Sequence, residues 1–491
     1  MKKDYDSTRI YRNTQKKGAS QTYDTPSCFI YIHSHHFIKN ILFISEKSPF
    51  FFANSNFYII FASRIKRIIM RVLIVNTSEK AGGAAVAANR LMDALNNNGV
   101  KAKMLVRDKE TDDITVVGLP RSMKLRWNFL WERWCVFWHL HFSKHHLWEI
   151  DLAAAGSDIT KLREFQEADV IHLSWVNQGM LSLKSIRKIL KSGKPVVWTM
   201  HDLWAATGIC HYARGCNRYV STCGNCPLLP HKGSKNDISS KVFGRKKELY
   251  HGGNIHFVSC SRWLEQQAKK SGLFVGQRIT NIPNPIDTHV FCPQNKAEAR
   301  LRAGLPADKH IILFVSQRVT DERKGMEYFV EAIDCLVKKY PDMVKHTAIA
   351  ILGGHSEEIT LSLPSCSLGY VSDVKQIVNI YNSVDVFVLP SLEDNLPNTI
   401  MESMACGVPG VGFKVGGIPE MIDHLKTGYV ANYRDADDLA KGIHWVLEEA
   451  DRESLQQACL HKVTQCYSQH SVALKYIEVY NQALAYKNYH L

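Results

Sequence analysis

The chain has 491 residues, 45% of them hydrophobic and 22% charged, with 16 prolines, which excludes a fibrous or largely disordered protein and leaves room for about two or three domains. Its net charge of +14 would suit nucleic acid, a membrane surface or an anionic substrate. Half of that charge sits in residues 1–69, which hold eleven Lys or Arg against four Asp or Glu, so nucleic-acid binding is disfavoured for the rest. The 13 cysteines are an odd number and mostly stand alone in apolar runs, as at Cys335 and Cys406, which fits reduced thiols in the cytoplasm and argues against a secreted disulfide scaffold.

Residues 1–69 have apolar patches at 28–32 and 50–62, each broken well before the ~20 residues of a membrane span. No apolar run followed by a small-residue cleavage site marks a signal peptide. The segment reads as an N-terminal extension outside the fold, upstream of a natural start at Met70, with a basic membrane-associating arm as the alternative.

At Met70 the pattern changes: 71–76 is a buried-strand run, a glycine-containing turn follows, and 84–95 has helical period. Strands are then predicted at 103–107, 170–174, 195–200, 255–259, 311–316, 348–352, 384–390 and 409–413, with helices over 326–340 and 471–486. Such alternation specifies an α/β protein with parallel sheets covered on both faces. Three prolines within 282–293 favour an extended connection between two series of strands. The predicted architecture is two doubly wound, Rossmann-like domains, 70–290 and 291–465, facing a central cleft, with 466–491 as a C-terminal helix.

The second series carries the clearest chemistry. Strand 311–316 runs into Gln317-Arg318 and then Arg323-Lys324-Gly325 before a helix, where guanidinium, ammonium and helix N–H groups together suit a diphosphate; a solvated basic turn is the ordinary alternative. Asp394 lies in the loop after strand 384–390, and Glu402 follows eight residues later on a helix. Glu402 can accept hydrogen bonds from two ribose hydroxyls and Asp394 from an attached sugar, unless both are simply acids favoured at a helix start. Residues 367–371 and 373–382 read as a short strand and loop that place backbone against a base, and Gly416-Gly417 permits close approach to a ligand. His201 stands at the carboxyl end of strand 195–200, a cleft position, although a lone histidine is more often structural.

Together these pieces resemble the retaining glycosyltransferases of family 4, which have the GT-B architecture of two Rossmann-like domains, and look most like the capsule and exopolysaccharide (colanic-acid type) subgroup. The resemblance rests on Ala81-Gly82-Gly83, His201-Asp202-Leu203-Trp204, residues 282–287, Arg318 with Lys324-Gly325, Asp394 through Glu402, and Gly416-Gly417-Ile418-Pro419. It implies that Arg318 and Lys324 bind the donor diphosphate, Glu402 the ribose and Asp394 the transferring sugar. It also implies a hydrogen bond from His201 to that sugar, with Gly82 and Gly83 near the phosphates or acceptor and Gly416 and Gly417 at the donor. The family's Glu-x7-Glu begins here with Asp394, beside Glu393, and the Arg-to-Lys spacing is one residue longer than usual, so Arg323 is a candidate to share or replace the role of Lys324. The implied donor is a UDP- or GDP-linked sugar and the implied acceptor a saccharide, lipid-linked, at the inner face of the plasma membrane. With cations offsetting the leaving diphosphate, and that phosphate taking the acceptor proton, transfer is expected to need no cofactor; Asp435-Ala436-Asp437 reads as a helix cap.

Cys210, Cys216, Cys223 and Cys226 fall within an insertion, 210–226, that ends in Cys-x2-Cys. This density suits structural zinc, while reduced thiols and a local disulfide remain the alternatives. Residues 121–148 hold Trp127, Trp131, Trp134, Trp138 and Trp148 among Lys124, Arg126, Arg133 and Lys144, which suits either peripheral contact with an anionic membrane or a buried helix pair. A nucleotide-sugar epimerase and a non-catalytic sugar-nucleotide-binding protein are the competing functions. A dinucleotide dehydrogenase is disfavoured because the turn after Asn76 lacks the Gly-x-Gly-x-x-Gly fingerprint.

Overall fold

Two wholly parallel sheets organise the computed structural model, which describes residues 69–120, 122–355 and 359–489. Apart from Ile69, the predicted N-terminal extension lies outside the described residues. The first sheet comprises β1 (Arg71–Ser78), β2 (Lys101–Asp108), β3 (Val116–Gly118), β4 (Val170–Leu173), β5 (Val196–Met200), β6 (Ile255–Ser259) and β7 (Arg278–Asn281), in spatial order β3-β2-β1-β4-β5-β6-β7. The second comprises β8 (His310–Arg318), β9 (Thr347–Gly354), β10 (Ser365–Gly369), β11 (Val386–Leu389), β12 (Gly410–Phe413) and β13 (Gly428–Ala431), in order β10-β9-β8-β11-β12-β13. Central strands are buried nearly throughout, as in β1, where only Arg71 is exposed, because helices cover both faces; this is why they read as continuous apolar runs.

The principal helices are α1 (Gly83–Asn97), α2 (Met123–His139), α3 (Leu183–Lys191), α4 (Ile238–His251), α5 (Arg262–Lys270), α6 (Met326–Lys339), α7 (Val374–Ser383), α8 (Asn398–Ala405), α9 (Ala436–His444), α10 (Arg452–Cys466) and α11 (Gln469–Tyr489). One expectation fails here: 374–383 forms α7, capped by Asp373 accepting from the Lys375 N–H, and is not a loop against a base. Its apolar residues recur at helical spacing and bury Val378, Ile380 and Tyr381.

Each sheet reverses its winding once, between β1 and β4 and between β8 and β11, and ligands bind beyond the strands' carboxyl ends at such points. The segment after α10 returns to the first sheet: Val472, Ala473, Tyr476, Val479 and Tyr480 of α11 join the core built on Val72, Ile74 and Val197. Tyr480 Oη lies 2.6 Å from His172 Nδ1, and Tyr476 Oη 3.0 Å from Thr199 Oγ1. The connection is fastened midway, where the Ile286 N–H donates to Tyr467 O at 2.8 Å. Across the cleft, Glu420 accepts from the Arg262 and Trp263 N–H groups at 2.8 and 2.6 Å, capping α5 from the other domain.

Candidate functional site

The loops at the two winding reversals enclose a cavity of about 660 Å³, within the roughly 300–1,000 Å³ of small-molecule sites. Gly82, Gly83, His201, Lys324, Arg323 and Asp394 all line it. Helices α1 and α8 begin on the cavity and α6 begins just after Lys324; none of the three has a side-chain cap, so their first N–H groups and positive dipole ends are available to an anion. Gly83 O accepts from Asn398 Nδ2 at 3.0 Å, linking the starts of α1 and α8 across the two domains.

On the second-domain side, the turn Glu322–Lys324 ends at Gly325, whose φ of 72° is left-handed and whose Cβ, if present, would lie 2.0 Å from Pro390 O. Only glycine therefore lets this turn sit against the end of β11. The turn delivers Lys324 Nζ to 2.6 Å from Asp394 Oδ2 and Arg323 Nη1 to 3.6 Å from the same oxygen. Arg323 also donates to Glu393 O at 3.0 Å and stacks over Tyr212, 4.9 Å from the ring centre. Burial alone would push the Asp394 carboxyl up, but Lys324 and Arg323 hold it below the usual carboxylate range; Glu393, with weaker support, is raised by burial.

Several sequence candidates take places other than those expected. Arg318 is exposed at the end of β8 and does not line the cavity, whereas Arg323 does. The irregular register of β8 between Val315 and Arg318 accompanies this shift. Gly416 and Gly417 do not line the cavity and lie close against protein: a Cβ would lie 1.7 Å from Asp394 O at Gly416 and 1.9 Å from Asn395 O at Gly417. The pair is the seat on which the Asp394 loop rests, and the Gly417 N–H donates to Asp394 O at 3.1 Å. Glu402 is buried off the cavity with both oxygens engaged, Oε1 by Arg90 Nη2 at 2.6 Å and Oε2 by Tyr381 Oη at 3.0 Å.

On the first-domain side, His201 follows β5 with Nε2 2.9 Å from Ser174 Oγ and Nδ1 3.5 Å from Cys260 Sγ. Burial lowers its pKa to about 4, so it is neutral at pH 7. Its carbonyl accepts from Asn395 Nδ2 at 3.0 Å, another tie between domains.

Sequence reasoning passed over the residues beside it. His211 lines the cavity with Nδ1 2.7 Å from Asp202 Oδ2 and Nε2 3.0 Å from Asp151 Oδ2. Burial opposes its charge, but the two carboxylates outweigh burial and raise the pKa to about 9, leaving an imidazolium at neutral pH. Asp151 in turn pairs with Arg133, and Glu132 accepts from the N–H groups of Leu152, Ala153, Ala154 and Ala155 at 2.7–3.2 Å. Tyr212 and Arg214 follow on the same loop, and the Arg214 N–H donates to Glu393 Oε2 at 3.2 Å, bringing the loop across to the second domain. No local pattern joins Asp151, Asp202 and His211; only the fold brings them together.

Helix α2 is inverted in polarity. It buries Glu132, Arg133 and Val136, while Trp127, Trp131, Trp134 and Trp138 are 60%, 54%, 49% and 57% exposed. The buried helix pair is thus not formed, and Arg133 belongs to the interior. Lys124, Arg126 and Lys144 are exposed near the tryptophans, and Trp148, itself exposed, lines the cavity. No helix of the described residues is long and apolar enough to cross a membrane.

Cys210, Cys216, Cys223 and Cys226 line one separate small cavity. Among the described residues, His310, His346 and Glu448 are the group of three whose ligand atoms lie within 4.8 Å of one another. Arg452 Nη2 is 3.0 Å from His310 Nδ1, and a guanidinium there opposes a second cation.

Comparison with known proteins agrees with this fold. Residues 81–290 match the family model described as Glycosyltransferase Family 4, and residues 309–449 match that described as Glycosyl transferases group 1. A D-inositol 3-phosphate glycosyltransferase of Thermobispora bispora is 26% identical over 222 residues, 42% of this chain and 51% of that protein. A GDP-mannose-dependent alpha-(1-6)-phosphatidylinositol monomannoside mannosyltransferase of Mycolicibacterium smegmatis is 29% identical over 191 residues, 35% of this chain and 48% of that protein. The matches thus span about half the length of these curated relatives. Among solved structures, sucrose-phosphate synthase from Thermosynechococcus elongatus superposes with a TM-score of 0.58 at 18% identity, covering 85% of this chain and 99% of that one. HepE of Anabaena, solved with UDP-glucose, gives 0.54 at 14%, covering 84% and 100%. The fold is GT-B.

Proposed function

We propose, on the premise that the chain belongs to the GT-B glycosyltransferases of the group 1 and family 4 type, that it transfers a hexose from a UDP- or GDP-linked donor to a lipid-linked saccharide with retention of anomeric configuration. The observation that carries this reading is the convergence of Lys324 and Arg323 on Asp394 in a cavity shared with His201 and Gly83. A donor diphosphate placed there takes over the two cations from Asp394. The freed carboxylate then accepts from hydroxyls of the sugar, and charge growing on the leaving diphosphate meets preorganised cations and the open N–H groups of α1 and α8. Neutral His201 orients the sugar by a hydrogen bond, and with its pKa lowered to about 4 it is a weaker base than the departing phosphate, so the acceptor proton passes to that phosphate on the same face. Ribose recognition by Glu402 requires Arg90 to release Oε1.

The exposed tryptophans with Lys124, Arg126 and Lys144 beside them suit the interface of an anionic membrane, and Trp148 leads from that face into the cavity. This supports a lipid-borne acceptor, which in this reading lies at the inner face of the plasma membrane and belongs to assembly of a capsule-type or exopolysaccharide. The test is calorimetric titration with UDP-glucose and GDP-mannose, followed by transfer to membrane lipid extracts and NMR of the product's anomeric centre. Binding of one donor and a retained configuration are expected. Failure of every nucleotide sugar to bind, an inverted product, or conversion of the donor sugar to its epimer without transfer would each refute the reading.

A further inference from the structure

We propose that Cys210, Cys216, Cys223 and Cys226 hold one structural zinc ion, which ties down the loop that presents His211, Tyr212 and Arg214 to the cleft. The four residues line a single cavity of about 20 Å³, enough for a water-sized sphere. No three of their sulfurs lie within 4.8 Å of one another; they surround the void without closing on it. Zinc–sulfur bonds of about 2.3 Å draw them in around a space they already share.

A basic side chain reaches Thr207, which lines the same cavity. Lys246 of α4 is fully buried, donates to Trp204 O at 2.6 Å and Thr207 O at 3.1 Å, and lies 3.4 Å from the centre of the Trp204 ring. It forms no ion pair with the described residues, and the acidic groups that act on it most strongly are the Cys210 and Cys223 thiols, ahead of Asp202 and Asp151. Because a buried ammonium without counter-charge is costly, burial lowers the Lys246 pKa to about 7. Zinc with four thiolates carries a net charge of −2 and favours the charged form of this amine, which neutral thiols and disulfides do not. Backbone amides already face the sulfurs: the Gly208 N–H donates to Cys223 Sγ at 3.2 Å, and those of Leu228 and Leu229 lie against Cys226. On binding, four S–H bonds break as four Zn–S bonds form, the four protons pass to solvent, and nothing is oxidised.

Elemental analysis of the full chain purified without chelator is expected to find about one zinc per chain, released by an organomercurial together with about four thiols. Cobalt(II) in its place is expected to give the visible bands of a tetrahedral thiolate site. Cys223→Ser should lose stoichiometric zinc and open the loop to protease, while Cys335→Ser, with its thiol on α6, should keep the metal. Should Cys223→Ser fail to fold, the wild-type cobalt spectrum decides alone. Wild-type protein with reduced thiols that takes up neither metal overturns the proposal, as does a mass lower by about 2 Da for each disulfide found among the four.

Discussion

Replacing Lys324 with methionine removes the nearer of two cations on Asp394 and keeps most of the side-chain volume. Lys324 Nζ is 2.6 Å and Arg323 Nη1 3.6 Å from Asp394 Oδ2, with the two cationic side chains 19% and 23% exposed. At an effective dielectric of about 20 the attractions are about 6 and 5 kcal/mol before desolvation. Removing one partner of a buried pair costs about 3–5 kcal/mol net. With Arg323 still in place, the low end, about 3 kcal/mol, is expected in urea denaturation. Donor binding should suffer separately, because a desolvated charge contact to the diphosphate contributes about 2–5 kcal/mol, or roughly 30-fold to several-thousand-fold in affinity. Calorimetry with UDP and GDP on the folded variant reads this directly, with Arg323→Met and Arg318→Met in parallel. The reasoning predicts a large loss for Lys324→Met, a comparable loss for Arg323→Met and little change for Arg318→Met. Folded Lys324→Met protein that binds within about threefold of wild type would refute it, and so would a loss confined to Arg318→Met.

Stability should fall in acid through His172, fully buried between Thr199 and Tyr480. Burial lowers its pKa from 6.5 to about 3, so the unfolded chain binds the proton first: the contribution is present above about pH 6.5 and is lost as pH falls toward 3, about 3 kcal/mol by pH 4. Denaturant midpoints from pH 7.5 to 4.5 check this, and His172→Gln should flatten the profile; an unchanged slope would count against it. Gly416→Ala, with φ at 58° and a Cβ 1.7 Å from Asp394 O, should displace the Asp394 loop and abolish transfer while circular dichroism stays that of an α/β protein; near-normal turnover would show that the seat is dispensable. The triple change Trp127→Ser, Trp134→Ser, Trp138→Ser should weaken cosedimentation with phosphatidylglycerol vesicles by about tenfold or more, with thermal stability unchanged because these rings are about half exposed. Equal sedimentation of the variant and wild type would remove the membrane face.

The amino-acid pattern alone determines the two parallel sheets and most of their central strands, because strands buried on both faces leave continuous apolar runs such as 71–76 and 311–316. It also marks Lys324, Asp394 and His201 as cleft residues, since each follows such a run at a strand's carboxyl end. The edge strands β3, β7 and β13 escaped because they leave no long apolar run: β3 has three residues, β7 mixes polar residues with Ile279 and buries none fully, and β13 opens on a glycine. Tertiary structure decided what depends on groups distant in the chain. Arg323 and not Arg318 reaches the cavity because the turn is set by the fit of Gly325 against Pro390. Gly416 and Gly417 serve the Asp394 backbone, and Glu402 is engaged by an arginine 312 residues away. The charge on His211 comes from two carboxylates, one of them 60 residues earlier. Burial, and with it the sign and strength of every charge in the cleft, is a property of the packed chain that no short window of sequence contains.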